Sequence, residues 1–150
     1  MKKEKTSKIG FLLSNIRTLE FATVDSAYQE GNLGDLKFNF GFGILEEAKW
    51  LVCDANVEFH FNEYPFIIIK VRCEFEIDPE AWDSYVDGKK HTITFPGKFL
   101  QHLAVLTTGT TRGVLHAKTE GTKFNQTILP TLNITDIVKE PIAFDLDTKK

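Results

Sequence analysis

Leu51-Val52-Cys53-Asp54-Ala55-Asn56-Val57-Glu58-Phe59-His60-Phe61 sets six apolar residues, Leu51, Cys53, Ala55, Val57, Phe59 and Phe61, at strict two-residue spacing, with Asp54, Asn56, Glu58 and His60 between them. Successive strand side chains point to opposite faces, so the alternation predicts an antiparallel strand with one dry and one wet side. Asn62-Glu63-Tyr64-Pro65 reads as a turn, and Ile67, Ile69, Val71, Cys73, Phe75 and Ile77 then repeat the pattern. The other face of this second strand begins with Phe66 and Ile68 and becomes polar only at Lys70, Arg72, Glu74 and Glu76. One end of the strand is therefore expected to be apolar on both faces, implying contact there with another subunit or a ligand. Cys53 and Cys73 both point inward in this reading, as reduced core residues.

Upstream, Phe38, Phe40 and Phe42 fall on every second residue and share one strand face, with Gly41 and Gly43 leaving the opposite face thin. Asn15 to Val24 reads as a further strand, followed by a long turn-rich loop from Asp25 to Asp35. Downstream, Asp78-Pro79 suits the start of a short helical turn or a loop carrying Trp82 and Tyr85. From Phe95 the period lengthens: Phe99, Leu100, Leu103, Ala104 and Leu106 form a stripe at three- and four-residue steps, with Pro96 in the first turn. The helix is expected to continue through Thr107-Thr108-Gly109-Thr110-Thr111-Arg112-Gly113 to Gly121, although threonine and glycine are poor helix formers. Either it bends there or packing overrides propensity. Gly109 and Gly113 share one helical face, which would let another backbone approach closely. Phe124 to Ile134 reads as a loop, and Thr135 to Val138 as a single helical turn capped by Thr135. Strands first and a helix later is the order of an α+β domain, with the helix packed against an antiparallel sheet.

At 150 residues, 42% hydrophobic and 26% charged, the chain suits one domain spanning 1–150, with polar ends at 1–8 and 145–150 expected to fray. A net charge of −3 with scattered Lys and Arg argues against nucleic-acid binding. The apolar stretch Ile9 to Leu13 is short for a secretory signal and no run approaches a bilayer span, so no membrane insertion and a cytoplasmic location are expected. The 13 Phe, 2 Trp and 3 Tyr against a single Met demand a use or a burial site.

The residues offer little chemistry. His60, His91, His102 and His116 lack metal-ligand spacing, and the two cysteines form no CxxC motif, so no metal or cofactor is expected. No GxSxG and no phosphate-binding glycine loop occurs. Glu46-Glu47 and Glu74/Glu76 read as a solvated charge ladder rather than an acid–base pair. Arg112 is either an anion site or part of helix packing. The chain is read as not an enzyme.

Phe95-Pro96 at the helix start, Thr111-Arg112-Gly113 within it and Ile128-Leu129-Pro130-Thr131-Leu132-Asn133 after it resemble the helical half of the SecB protein-export chaperone family. Ile16 to Phe21 is similar to that family's first strand, and Asp25 to Asp35 sits where the family has its crossover loop. The resemblance implies a four-stranded antiparallel sheet with helices on one side. It also implies assembly into dimers or tetramers, with apolar grooves that hold unfolded polypeptides. Aromatic rings suit such grooves, offering large contact area at low entropy cost. The chain departs from the family pattern in two places. Pro141 cuts the second C-terminal helix to one turn, and, although Glu20 matches one acidic docking position for the SecA motor, the outward face of 66–77 mixes Lys70 and Arg72 with Glu74 and Glu76.

The expected function is that of an ATP-independent holdase chaperone, with unfolded polypeptides as clients and an export motor or an antitoxin as possible further partners. Client contacts are expected at Tyr28 and Leu33 in the loop, Leu115 on the helix, and Leu129 and Leu132 after it. Phe66, Ile68, Gly109 and Gly113 are expected at subunit contacts of a dimer or tetramer. Two alternatives stand: an adaptor whose sheet edge binds one folded partner, and a small-molecule-binding α+β domain.

Overall fold

The computed structural model describes residues 9–31 and 33–147. The expected fraying of 1–8 lies outside the described residues. Four long strands, β1 (Phe11–Thr23), β2 (Asp35–Leu45), β3 (Trp50–Phe61) and β4 (Tyr64–Ile77), form an antiparallel sheet in the order β1-β4-β3-β2. Neighbours in sequence pair across the two hairpins. The β1–β2 connection instead crosses the sheet from one edge to the other, through a 3-10 turn at Asp25–Ala27. Asn62 and Glu63, both with positive φ (49° and 74°), make the two-residue β3–β4 turn whose twist suits a tight hairpin.

Between β3 and β4 strict alternation fails at one point. Phe59 pairs with Ile67 but His60 pairs with Pro65, so Phe66 is an extra residue at a bulge in β4. The bulge turns the Phe66 ring inward beside Ile67 instead of outward. It is 0% exposed, stacked on Phe61 at 4.4 Å with edge contact to Tyr28 at 5.6 Å. The expected outward Phe66 is thus corrected, and in this fold it offers no subunit contact. Ile68 keeps the outer face and is half-buried between Ala22 of β1 and Glu58 of β3.

After β4, Asp78 accepts a hydrogen bond from the Ala81 amide (3.3 Å) and caps α1 (Pro79–Ser84), which buries Trp82. Strands β5 (Val86–Asp87) and β6 (Thr92–Phe95) lead to α2 (Gly97–Thr119), with Pro96 as its N-cap. A short α3 (Ile134–Ile137) and β7 (Ile142–Asp145) follow. Asn133, not Thr135, stands at the α3 N-cap. β5, β6 and β7 form a second sheet. Fraying was expected from Asp145, yet the Leu146 amide donates to His91 O (2.8 Å) and the Asp147 amide to a Glu46 carboxylate oxygen (2.7 Å).

α2 runs unbroken through its threonines. Thr107, Thr108, Thr110, Thr111 and Thr119 each donate their hydroxyl to the carbonyl four residues earlier, at 2.7–2.9 Å, so the buried hydroxyls among them are satisfied inside the helix. Its buried stripe, Leu100, Leu103, Ala104, Thr107, Thr111 and Leu115, packs on β3 and β4. Tertiary burial overrides the poor propensity. The stripe spans two apolar clusters, one around Phe75, Phe95 and Phe99, the other around Phe59, Phe66 and Phe124.

The chain after α2 folds back along the helix and is held at three points. Arg112 donates from Nε to Leu129 O (2.6 Å) and from Nη2 to Pro130 O (2.9 Å). Gln101 Nε2 donates to Val138 O (2.6 Å). At Gly97 the Lys139 carbonyl comes so close that a Cβ would overlap it. Arg112 is thus a packing residue, its guanidinium committed to backbone carbonyls. No helix among the described residues is long and apolar enough to cross a membrane.

Candidate functional site

β2 is an edge strand, and α2 packs over β3 and β4 instead. The inner-face row of β2, Leu36, Phe38, Phe40, Phe42 and Ile44, therefore packs at the margin of the two apolar clusters and stays half-buried. Phe38 and Phe40 meet edge to face at 6.2 Å. Between β2 and that chain lies an open groove of about 340 Å³, its walls formed by Phe40 and Phe42 on one side and Ile137, Val138 and Ile142 on the other. Lys139 and Glu140 supply charge of both signs at its border. Ile137 is 42% exposed, an apolar side chain left in water at the groove. The outer backbone edge of β2 has no strand neighbour among the described residues, so an extended chain laid beside it has both main-chain partners and an apolar floor.

None of the expected client contacts, Tyr28, Leu33, Leu115, Leu129 and Leu132, lines this groove. Leu132 is half-buried and packs on both apolar clusters. Leu33 is 83% exposed on the crossover loop. Tyr28 is half-buried, its ring against Phe61, Phe66 and Phe124 and its hydroxyl donating to Lys123 O (3.2 Å), so it fastens the loop to the core. Leu115 and Leu129 are corrected: both are enclosed in the second apolar cluster and present no surface to a client. Gly109 and Gly113 lie on the exposed side of α2 with open space where a Cβ would stand.

Phe40, Phe42, Ile137 and Ile142 went unassigned in the sequence reading. The Phe38–Phe42 spacing carried a signal, a ring row on one face whose partner layer the sequence never supplied. Ile142 sits in a four-residue strand, too short to show a period.

The outer sheet face carries charge already committed within the fold. Arg72 makes two bonds to Asp54 (2.7 and 2.9 Å), which holds its guanidinium above the usual arginine range. Arg17 pairs with the buried Glu74 at 2.6 Å, and Ser14 donates to Glu76 at 3.4 Å. His60 Nε2 lies 3.1 Å from Glu58, while its Nδ1 is buried with no hydrogen-bond partner. No cluster of three or more His, Cys, Asp or Glu among the described residues has the arrangement to hold a metal ion.

No protein-family model matches the chain, and no curated protein matches it. Among solved structures, a crystal structure of a protein of unknown function from Streptococcus agalactiae aligns over 84% of this chain and 99% of its own, at 13% identity and a TM-score of 0.39.

Proposed function

We propose that the chain is an ATP-independent holdase that binds non-native polypeptide segments in the groove between β2 and the returning C-terminal chain. The observation that carries the reading is a row of half-buried phenylalanines, Phe38, Phe40 and Phe42, on a strand whose outer edge is unpaired. Apolar client side chains gain about 25 cal/mol per Å² buried against those rings, while the strand edge supplies sequence-independent hydrogen bonds. The resemblance of the helix and of the Ile128–Asn133 segment to the SecB family supports the same reading. So does the β1–β2 crossover, whose Leu33 stands in water. The cytoplasm is the proposed compartment, and an export motor or an antitoxin the proposed further partner.

Assembly into dimers or tetramers belongs to the proposal. Leu13 and Ile16 of edge strand β1 and Val105 and Leu106 of α2 are exposed apolar residues, and Gly109 and Gly113 leave room for close approach on the helix. Ile68 on the outer face is half-buried and plays a lesser part.

The test is suppression of light scattering as a chemically denatured client is diluted into buffer without nucleotide. The native chain is expected to suppress aggregation near one oligomer per client, and Ile137→Asp to lose most of that effect at unchanged stability. No suppression by the native chain, or equal suppression by the variant, contradicts the proposal. A clean monomer by size exclusion with light scattering contradicts its assembly.

A further inference from the structure

We propose that Cys53 and Cys73 close into a reversible cross-strand disulfide on exposure to hydrogen peroxide, a redox clamp across the two central strands of the larger sheet. They are the chain's only cysteines, and the β3–β4 register sets them directly opposite each other. Both thiols are free, both are fully buried, and both belong to the apolar cluster beneath α2. Leu100, Leu103 and Ala104 of α2 belong to the same cluster, so the helix packs in the core that holds the pair.

The backbone spacing fits the bond. Directly opposed antiparallel residues have Cα atoms about 4.5 or 5.5 Å apart, within the roughly 4.4–6.8 Å that disulfides span. Their Cβ atoms stand about 4.5–5.5 Å apart, against about 3.5–4.5 Å in a disulfide, so closure draws the strands together by up to roughly an ångström. A bond formed that way is strained and readily reduced, which is the character of a switch rather than of a permanent staple.

The chemistry balances with peroxide as the only co-reactant. One thiolate attacks a peroxide oxygen; the S–O bond forms, the O–O bond breaks, and the departing hydroxide takes up a proton as water. The second sulfur then attacks the resulting sulfenic sulfur. The S–S bond forms, the S–O bond breaks, and a second water leaves with the remaining proton. Two thiols lose two electrons and two protons, and one peroxide becomes two waters. Burial pushes the Cys53 thiol up to about 12, and Cys73 upward as well, so little thiolate exists while α2 is seated. Closure therefore waits on transient lifting of α2, and its rate reads that opening.

The experiment treats the full native chain with hydrogen peroxide at pH 7. The expected product has lost the mass of two hydrogen atoms and links the peptides carrying residues 53 and 73. It keeps its circular dichroism spectrum and reverts with dithiothreitol. Formation is expected to be slower than for an exposed cysteine, because it follows the fraction of time α2 is lifted. Cys53→Ala and Cys73→Ala each abolish the linked peptide; should either fail to fold, the peptide map of the native chain decides alone. Thiols that stay free or pass to sulfinic acid unlinked, bridges between chains, linkage only after loss of sheet signal, or reaction at the rate of an exposed cysteine would each overturn the proposal. It is independent of the holdase reading.

Discussion

Replacing Phe66 by alanine separates two descriptions of β4. In the bulged strand the ring is enclosed by Phe61, Phe59, Tyr28 and the rest of the second cluster, so truncation removes a fully buried phenyl and a stacked pair at 4.4 Å. Phe→Ala changes in cores cost about 3–5 kcal/mol, from lost transfer energy and the cavity left behind. For a chain of this length each kcal/mol moves the melting temperature by about 2–4 °C, so Phe66→Ala is expected to melt roughly 6–20 °C below the native chain. Urea denaturation with an unchanged m-value and a thermal scan by circular dichroism measure the two quantities independently. Ile68→Ala on the outer face is the internal control, with an expected loss of about 1 kcal/mol. A Phe66→Ala cost within about 0.5 kcal/mol, the range of surface changes, would refute the bulge and restore the outward ring.

Gly97→Ala is expected to destabilise by about 1–3 kcal/mol despite alanine's better helix propensity, because its Cβ meets the Lys139 carbonyl; a stabilised variant would contradict that close approach. Arg112→Met keeps the stem and deletes the bonds to Leu129 O and Pro130 O, at an expected cost of about 2–4 kcal/mol. Hydrogen exchange should accelerate around residues 127–132, and unchanged protection there would count against the clamp. Alkaline stability is expected to follow Cys53. Its folded-state pKa is raised from 9.0 to about 12, so above pH 9 the unfolded chain releases the proton first and binds fewer protons. The contribution is complete below pH 9 and lost as pH rises toward 12, up to about 4 kcal/mol. Denaturation midpoints across that range check it, and Cys53→Ala should flatten the slope.

The α+β architecture was legible because β3, β4 and α2 each carry a long, unambiguous period. Alternation places a residue on a face only while pairing is regular, so the extra residue at Phe66 reversed its predicted side. The second sheet was missed because β5 has two residues and β6 and β7 four each, too short for periodicity, and its β7 lies some fifty residues beyond β6. The α3 cap was misplaced because Asn133 and Thr135 are both capping residue types two positions apart. At the site, Leu115 and Leu129 read as groove residues because a helix stripe and a loop leucine look alike in sequence whether enclosed or open. Arg112 decides the matter by drawing the Leu129 segment onto the helix. The phenylalanine row of β2 was visible. What exposed it, a helix seated over β3 and β4 and not over the β2 edge, is a property of packing.

A photo-crosslinking amino acid at position 137 tests the groove most directly. Given a reduced, alkylated client that cannot fold, and the same client in its folded form, the account predicts adducts with the unfolded form alone. An identical probe at Lys70, on the charged outer face, should yield none. Equal adducts with both client forms, or equal yield from positions 137 and 70, would contradict the claim that this groove holds non-native chain.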